Sequence, residues 1–191
     1  MHIRSLTTLL VAGSLLVTGC NSKQKAVENI NSLQQQVDSI FSIAQVLTPE
    51  QRLVTNELVD AYIAFADKHA DDENAPAYLF EAARLKTAIP DYQAAIDLFN
   101  QVVERYPESE FAPRGLLSIG GIYDVTLSDY EAARKAYERL NQEYPTQAAE
   151  YGVPMILETL GQDPDAILRE LLNQGGSTDT MDISEASVSA E

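Results

Sequence analysis

The 191-residue chain holds one cysteine and two histidines, so soft-ligand and imidazole chemistry have little material. Cys20 is the only thiol, and His2 stands at the extreme amino terminus, which leaves His69 alone in the body of the chain. A His/Cys metal cage or a nucleophile–base pair needs more convergent groups than that. His69 closes a helical stretch, where a half-buried ring at a structural junction is the expected role. Asp71-Asp72-Glu73 follows it, but without the alternating ligand spacing and closing Glu of a calcium loop it reads as a solvated turn. Glu104, Glu110 and Glu143 are dispersed and give no acid/base pair. Gly120-Gly121 lies in a helical stretch rather than at a phosphate-cradling turn, and there is no nucleophile elbow. The expectation is a protein without catalytic residues, metal or cofactor, and not an enzyme.

Charge points the same way. Twenty-nine acids face 13 bases, a net of −16, which excludes the basic surface that tracks nucleic-acid phosphates. At 45% hydrophobic the chain is apolar enough to fold. Trp is absent, so anchors for a partner come from 9 Tyr and 5 Phe. In so base-poor a chain, Arg84 and Arg114 stand out, because a guanidinium takes a carboxylate bidentately. They either receive a partner's carboxylate or pair within the chain, Arg84 with Glu81 for example.

The elements that must position these residues begin with a leader. Arg4 gives a positive start, Leu9 to Val17 forms an apolar run broken by Gly13-Ser14, and small residues lead into Cys20. The run is too short to cross about 30 Å of hydrocarbon and reads as a signal peptide, 1–19. Leu16-Val17-Thr18-Gly19-Cys20 resembles the lipobox of bacterial lipoproteins. That resemblance implies cleavage before Cys20 and acyl chains on it, and two or more chains give stable anchoring where one does not. Asn21, in the position where Asp favours inner-membrane retention, implies the bacterial outer membrane.

Beyond Cys20 the chain repeats itself. Asp91-Tyr92 returns as Asp129-Tyr130, Ala94-Ala95 as Ala132-Ala133, Phe99 as Tyr137 and Tyr106-Pro107 as Tyr144-Pro145, each 38 residues on. Ala75-Pro76 returns as Ala112-Pro113, Leu79 as Leu116 and His69-Ala70 as Tyr106-Pro107, each 37 on, which places a one-residue insertion between the paired helices of the second unit. Within a unit, Ala95, Phe99 and Val102 make one apolar stripe of an amphipathic helix that Pro107 ends; Ala133, Tyr137, Leu140 and Pro145 repeat the pattern. Ala82-Ala83 and Gly120-Gly121 supply small residues on the preceding helices, where close packing against an aromatic must offset the glycines' helix cost. Thr48-Pro49-Glu50-Gln51 and Ser128-Asp129-Tyr130-Glu131 read as capping boxes, and Asp163-Pro164 opens a last helix. Helices are expected near 49–70, 75–88, 91–106, 110–124, 128–144, 147–160 and 163–173: two clear repeats, a degenerate one behind and an odd helix in front.

The pattern of a small residue (Ala83, Gly120), then Ala95 or Ala133, an aromatic four on (Phe99, Tyr137) and a distal Pro (Pro107, Pro145) resembles the tetratricopeptide repeat. Lys86, where the second unit has Tyr123, and Leu79 and Leu116, where a Trp is preferred, depart from it. The resemblance implies an all-α fold, a short right-handed solenoid of antiparallel helix pairs over 49–173, with a concave face that takes protein segments. Carried over by position, that face holds Phe80, Arg84, Arg114 and Leu117, while Tyr78 and Tyr123 go to the core. An amino-terminal lipid followed by such a solenoid is similar to two groups of outer-membrane lipoproteins, the BamD-type subunit of the β-barrel assembly machine and the CpoB/YbgF-type TolA-binding coordinator. What this implies is a scaffold for envelope proteins or peptides at the periplasmic face of the outer membrane, with no nucleic acid. The alternative is an accessory subunit that recognises peptides or cell-wall fragments for a separate enzyme or transporter.

Two flanks complete the chain. In 20–48, Ile30, Leu33, Val37, Ile40, Ala44 and Leu47 are spaced as an a/d seam of under three heptads. A helix folding back on the solenoid, self-association through 26–47, or a flexible tether would each account for it. Residues 174–191, acidic and without a base, read as a disordered tail.

Overall fold

The computed structural model describes residues 9–44, 46–162, 169 and 172, with side chains described from residue 21 onward. The described part is helical throughout: α1 (Leu9–Ile43), α2 (Pro49–Lys68), α3 (Ala75–Ala88), α4 (Tyr92–Arg105), α5 (Phe111–Gly121), α6 (Tyr130–Glu143), α7 (Pro145–Glu150) and α8 (Val153–Thr159). Each helix packs antiparallel on the next, giving stacked helix pairs. Most of the expected last helix, 163–173, and all of the acidic tail, 174–191, lie outside the described residues.

The apolar stripes become the core. Ala83, Ala95, Phe99, Ala133 and Tyr137 are all buried, and so is Gly120. The closest fit is at Gly120, where an added Cβ would stand 2.3 Å from Cε1 of Tyr137. The equivalent pair in the first unit is Ala83 with Phe99, so the second unit has given up a methyl group to admit its aromatic. Gly121 departs from expectation: a Cβ there would meet nothing within 4 Å, so no packing offsets its helix cost.

α2, α4 and α6 end alike. Their caps His69, Tyr106 and Tyr144 hold φ/ψ of −129/50, −134/53 and −135/61. Below the first two, the turns close through matching bonds, Asp72 N to His69 O and Ser109 N to Tyr106 O, then Ala75 N to Asp72 O and Ala112 N to Ser109 O. Pro107 and Pro145 are exposed; Pro107 enters the turn, whereas Pro145 also occupies the first turn of α7, where its missing N–H costs nothing.

The inserted residue of the second unit falls not between the paired helices, as expected, but inside the end of the first of them. α5 stops at Gly121 and continues as a π-helix over Ile122–Thr126, the form a helix takes when one extra residue enters its turn. That shifts the following start. Ser128 adopts φ 53, and Asp129 is the N-cap, accepting from Ala132 N at 3.0 Å. The expected capping box at Ser128 is therefore not formed: the cap lies one residue on, and Ala132 at its third position has no polar side chain to reciprocate. Thr48 does form its box: Gln51 N donates to Thr48 Oγ1 at 3.2 Å and Thr48 N to Gln51 Oε1 at 2.9 Å.

The single helix expected over 147–160 is two, α7 and α8, broken at Gly152 in the left-handed region with φ 70, a conformation that glycine adopts without a Cβ clash. At the front, α2 is not an odd helix. α1 lies along it, with Ile30 and Val37 buried and Ala26, Val27 and Leu33 packed on the core. Of the three states open for 26–47, the structure takes the folded-back helix. Its outer face up to Ser39 is polar, with Gln, Asn and Ser joined by Lys25, Glu28 and Asp38, which suits the terminal helix of a stack.

Candidate functional site

α3, α5 and the α7–α8 break frame a groove of about 630 Å³, and all four residues expected on the concave face, Phe80, Arg84, Arg114 and Leu117, line it. Its apolar base is set by aromatic packing. Phe80, 3% exposed, stands edge-on to Phe99 at 5.2 Å and tilted to Phe111 at 5.4 Å. The guanidinium of Arg114 lies over both rings of the α3–α5 contact, 4.8 Å from Phe80 and 5.2 Å from Phe111, a cation–π arrangement that orients it.

Both arginines carry carboxylates from their own helices. Arg84 Nη1 donates to Glu81 at 2.9 and 3.1 Å; Arg114 Nη1 reaches Glu110 at 3.8 Å. Their side chains are 60% and 42% exposed, so these are water-screened pairs one helical turn apart, of a kind that contributes little to stability. An incoming carboxylate can displace such a partner at small cost.

Position on the first helix of each unit identified these four, but not their neighbours. Gly121, Ile122, Thr126 and Tyr151 also line the groove. Gly121 is the floor that lacks a side chain. Ile122 and Thr126 are presented by the π-turn, and Tyr151 by the break before Gly152. The glycine pair is the one signal of them legible in the sequence, and only Gly120 of the pair is needed for packing. The hydroxyls of Thr87 and Ser118 bond back to Ala83 O and Arg114 O and so are engaged within their own helices.

Tyr78 and Tyr123 pack on the core. Tyr78 stacks on Tyr62 at 5.1 Å and meets Phe65 edge-on at 4.8 Å. Burial, then the nearby Glu81, pushes the Tyr62 phenol up to about 12. Burial, then Asp124, does the same for Tyr137. A smaller depression of about 260 Å³ lies between α4 and α6, with Ile96, Leu116 and Ile119 at its base and Lys135 and Arg139 beside it.

The remaining candidate residues gather at the α2–α3 turn. His69 is half-buried, its ring 5.0 Å from Phe65, and its Nε2 is buried without a hydrogen-bond partner. Its counterparts have longer reach: Tyr144 Oη donates to Pro107 O at 2.9 Å, and Tyr106 Oη lies 3.4 Å from Ala66 O. Asp72 is not the solvated residue expected. Its side chain is 8% exposed and ion-paired with Lys23 of α1, and it accepts from Asn74 N and Nδ2 at 3.0 and 3.1 Å. Hydrogen bonding from Lys23 holds its carboxyl below the usual range. Among the described residues no three His, Cys, Asp or Glu side chains converge as metal ligands, and no helix is long and apolar enough to cross a membrane.

The chain matches the tetratricopeptide-repeat family over residues 77–109 and 115–146, the two units whose spacing the sequence shows. No curated protein and no solved structure matches it, so the likeness reaches the repeat and not a particular outer-membrane relative. Tetratricopeptide repeats as a class bind proteins and peptides. Residues 77–109 and 115–146 are thus two tetratricopeptide repeats.

Proposed function

We propose that the chain is a non-catalytic scaffold, held by lipid on Cys20 at the periplasmic face of the bacterial outer membrane, that docks a segment of an envelope protein in the α3–α5–α7 groove. The observation that carries this reading is the groove itself. It offers an apolar floor at Phe80, Leu117 and Gly121 beneath two arginines whose carboxylate partners come from their own helices. Such a surface suits an apolar side chain next to an acidic one. The lipobox-like run ending at Cys20, with Asn21 after it, supports the location.

The groove reading is tested by blocking the floor. Gly121→Trp projects into open space, so the fold is retained while the groove is filled. Pull-down from detergent-solubilised membranes should recover a protein partner with the parent chain and lose it, by tenfold or more, with this variant. Recovery that Gly121→Trp leaves unchanged refutes the site. Recovery of peptides or glycan fragments with no protein would support the accessory-subunit reading instead. Cys20→Ser tests the anchor: the variant should move to the soluble fraction, and one that still sediments with membranes overturns the lipid.

A further inference from the structure

The seam through which α1 packs on α2 settles more than the fate of residues 26–47. Lys23, three residues beyond Cys20, is already ion-paired with Asp72 in the α2–α3 turn. Ala26 and Val27 follow, packed on the core, and the backbone is helical without a break from Leu9 to Ile43. Three helical residues advance about 5 Å, and about 10 Å if fully extended. No free tether therefore separates Cys20 from the solenoid.

We infer that, given the lipid anchor proposed above, the solenoid is fixed on the bilayer by one edge: the turns at 69–74 and 106–110 rest at the headgroups, and the opposite edge points away. The membrane-side turns are bound into one piece. Arg105 donates to Asp67 at 2.7 Å and to Ala66 O at 2.8 Å, which ties the end of α4 to the end of α2, and Lys23 ties α1 to the turn between α2 and α3. The edge carries Lys25 and Lys68 beside Asp67, Asp71, Glu73, Glu108 and Glu110, all exposed, so acids outnumber bases on it. The short anchor rather than net charge holds it down. From Lys23 to Ile43, α1 rises about 30 Å and carries the exposed Ile43 and Val46 away from the lipid. Val125, 81% exposed, follows α5 to that same far edge. The groove, walled by α3 and α5 and reaching their far ends at Ala88 and Thr126, then opens sideways above the bilayer surface, for a partner standing beside the protein.

The opposite arrangement, with Ile43, Val46 and Val125 inserted among the lipids, is the rival that an experiment must separate. The lipidated full-length chain carrying Asp71→Cys or Val125→Cys would be labelled with a fluorophore; acylation consumes the thiol of Cys20. It would then be reconstituted in vesicles of phosphatidylethanolamine and phosphatidylglycerol containing a nitroxide-headgroup lipid. Quenching should be at least threefold stronger at position 71 than at position 125. A flexible Gly/Ser insert after Ser22 should erase the difference. Equal quenching in the uninserted protein, or stronger quenching at 125, overturns the inference while flotation of the protein with the vesicles leaves the anchor standing. A chain that does not float overturns the anchor and this orientation with it.

Discussion

Adjacent glycines in α5 predict opposite responses to the same substitution. At Gly120 the new methyl would lie 2.3, 2.6 and 2.7 Å from Cε1, Cδ1 and Cζ of Tyr137, about 1 Å inside ordinary contact, and the ring is 3% exposed with no room to retreat. Overpacking of this kind costs about 1–3 kcal/mol. Helix propensity returns at most about 1 kcal/mol, and two or three ring atoms collide at once, so Gly120→Ala should destabilise by about 1–2 kcal/mol net. Gly121→Ala meets nothing within 4 Å and should stabilise by about 0.5–1 kcal/mol. Urea unfolding reads both as shifts of midpoint at constant slope. Combining Gly120→Ala with Tyr137→Leu should recover part of the loss, with a coupling energy of about 1 kcal/mol or more. If Gly120→Ala is as stable as the parent, or the two glycines respond alike, the helix register behind the groove is wrong.

Other perturbations probe the caps, the charges and the insertion. Thr48→Ala should cost about 1 kcal/mol in urea unfolding by opening the capping box of α2. Because burial raises Tyr62 and Tyr137 to about 12, their contribution to stability is complete below the unfolded-state value near 10 and is lost as pH rises through 12. The unfolding midpoint should therefore fall over that window, with phenolate absorbance rising as the chain unfolds. Deleting Val125 should relax the π-turn to an ordinary helix and leave the melting temperature within a few degrees, whereas deleting Gln101 from α4 should unfold the protein. Arg105→Ala should destabilise by about 1.5 kcal/mol through its bonds to Asp67 and Ala66. Arg114→Ala should cost under about 1 kcal/mol yet abolish partner recovery.

What the sequence reveals and what it hides divide along physical lines. The 37- and 38-residue offsets place α3 and α4 to within a residue, because their boundaries are set by local chemistry: a Pro at the start, a small–aromatic stripe within, an aromatic cap at the end. The difference between the two offsets is also visible, but not its location, since an extra residue can enter a turn or a helix and only the energetics of the packed pair choose. Here Gly120 must stay opposite Tyr137, so the extra residue is taken up downstream in Ile122–Thr126, while Ser128 holds φ 53 as its repeat counterpart Pro90 also holds a positive φ, although Ser-Asp-Tyr-Glu spells a capping box. The break of α7 from α8 is spelled by Gly152 with Pro154 two residues on, a stop-and-restart signal that the continuous 147–160 expectation runs through. Tyr151 is missed as a groove residue for the same reason. The seam of 26–47 is legible as a seam, but whether it meets its own chain or another is a tertiary fact; the salt link from Lys23 to Asp72 lies outside the heptads.

Most bases outside the groove tie two elements together, whereas Arg139 pairs within α6, with Glu143 at 2.7 Å, as the groove arginines do within their own segments. Arg52 donates to Ile89 O at 3.2 Å, joining α2 to the end of α3. Lys86, the departure from the repeat pattern, bonds Asn56 at 2.9 Å and pairs with Asp91 at 3.2 Å. Arg105 joins α4 to α2, and Arg134 reaches Leu157 O at 3.3 Å, joining α6 to α8. Each of these spans two elements, so its removal leaves a carbonyl or carboxylate of another helix unpaired, and the cost falls on the fold. Arg84 and Arg114 bond only within one helical turn, to Glu81 and Glu110. Loss of Arg84 would leave only an exposed glutamate in water, and loss of Arg114 would in addition uncover the outer faces of Phe80 and Phe111. A positive group that the fold does not need, set over an apolar floor in a protein of net charge −16, is the arrangement that a partner's carboxylate can use without unfolding its host.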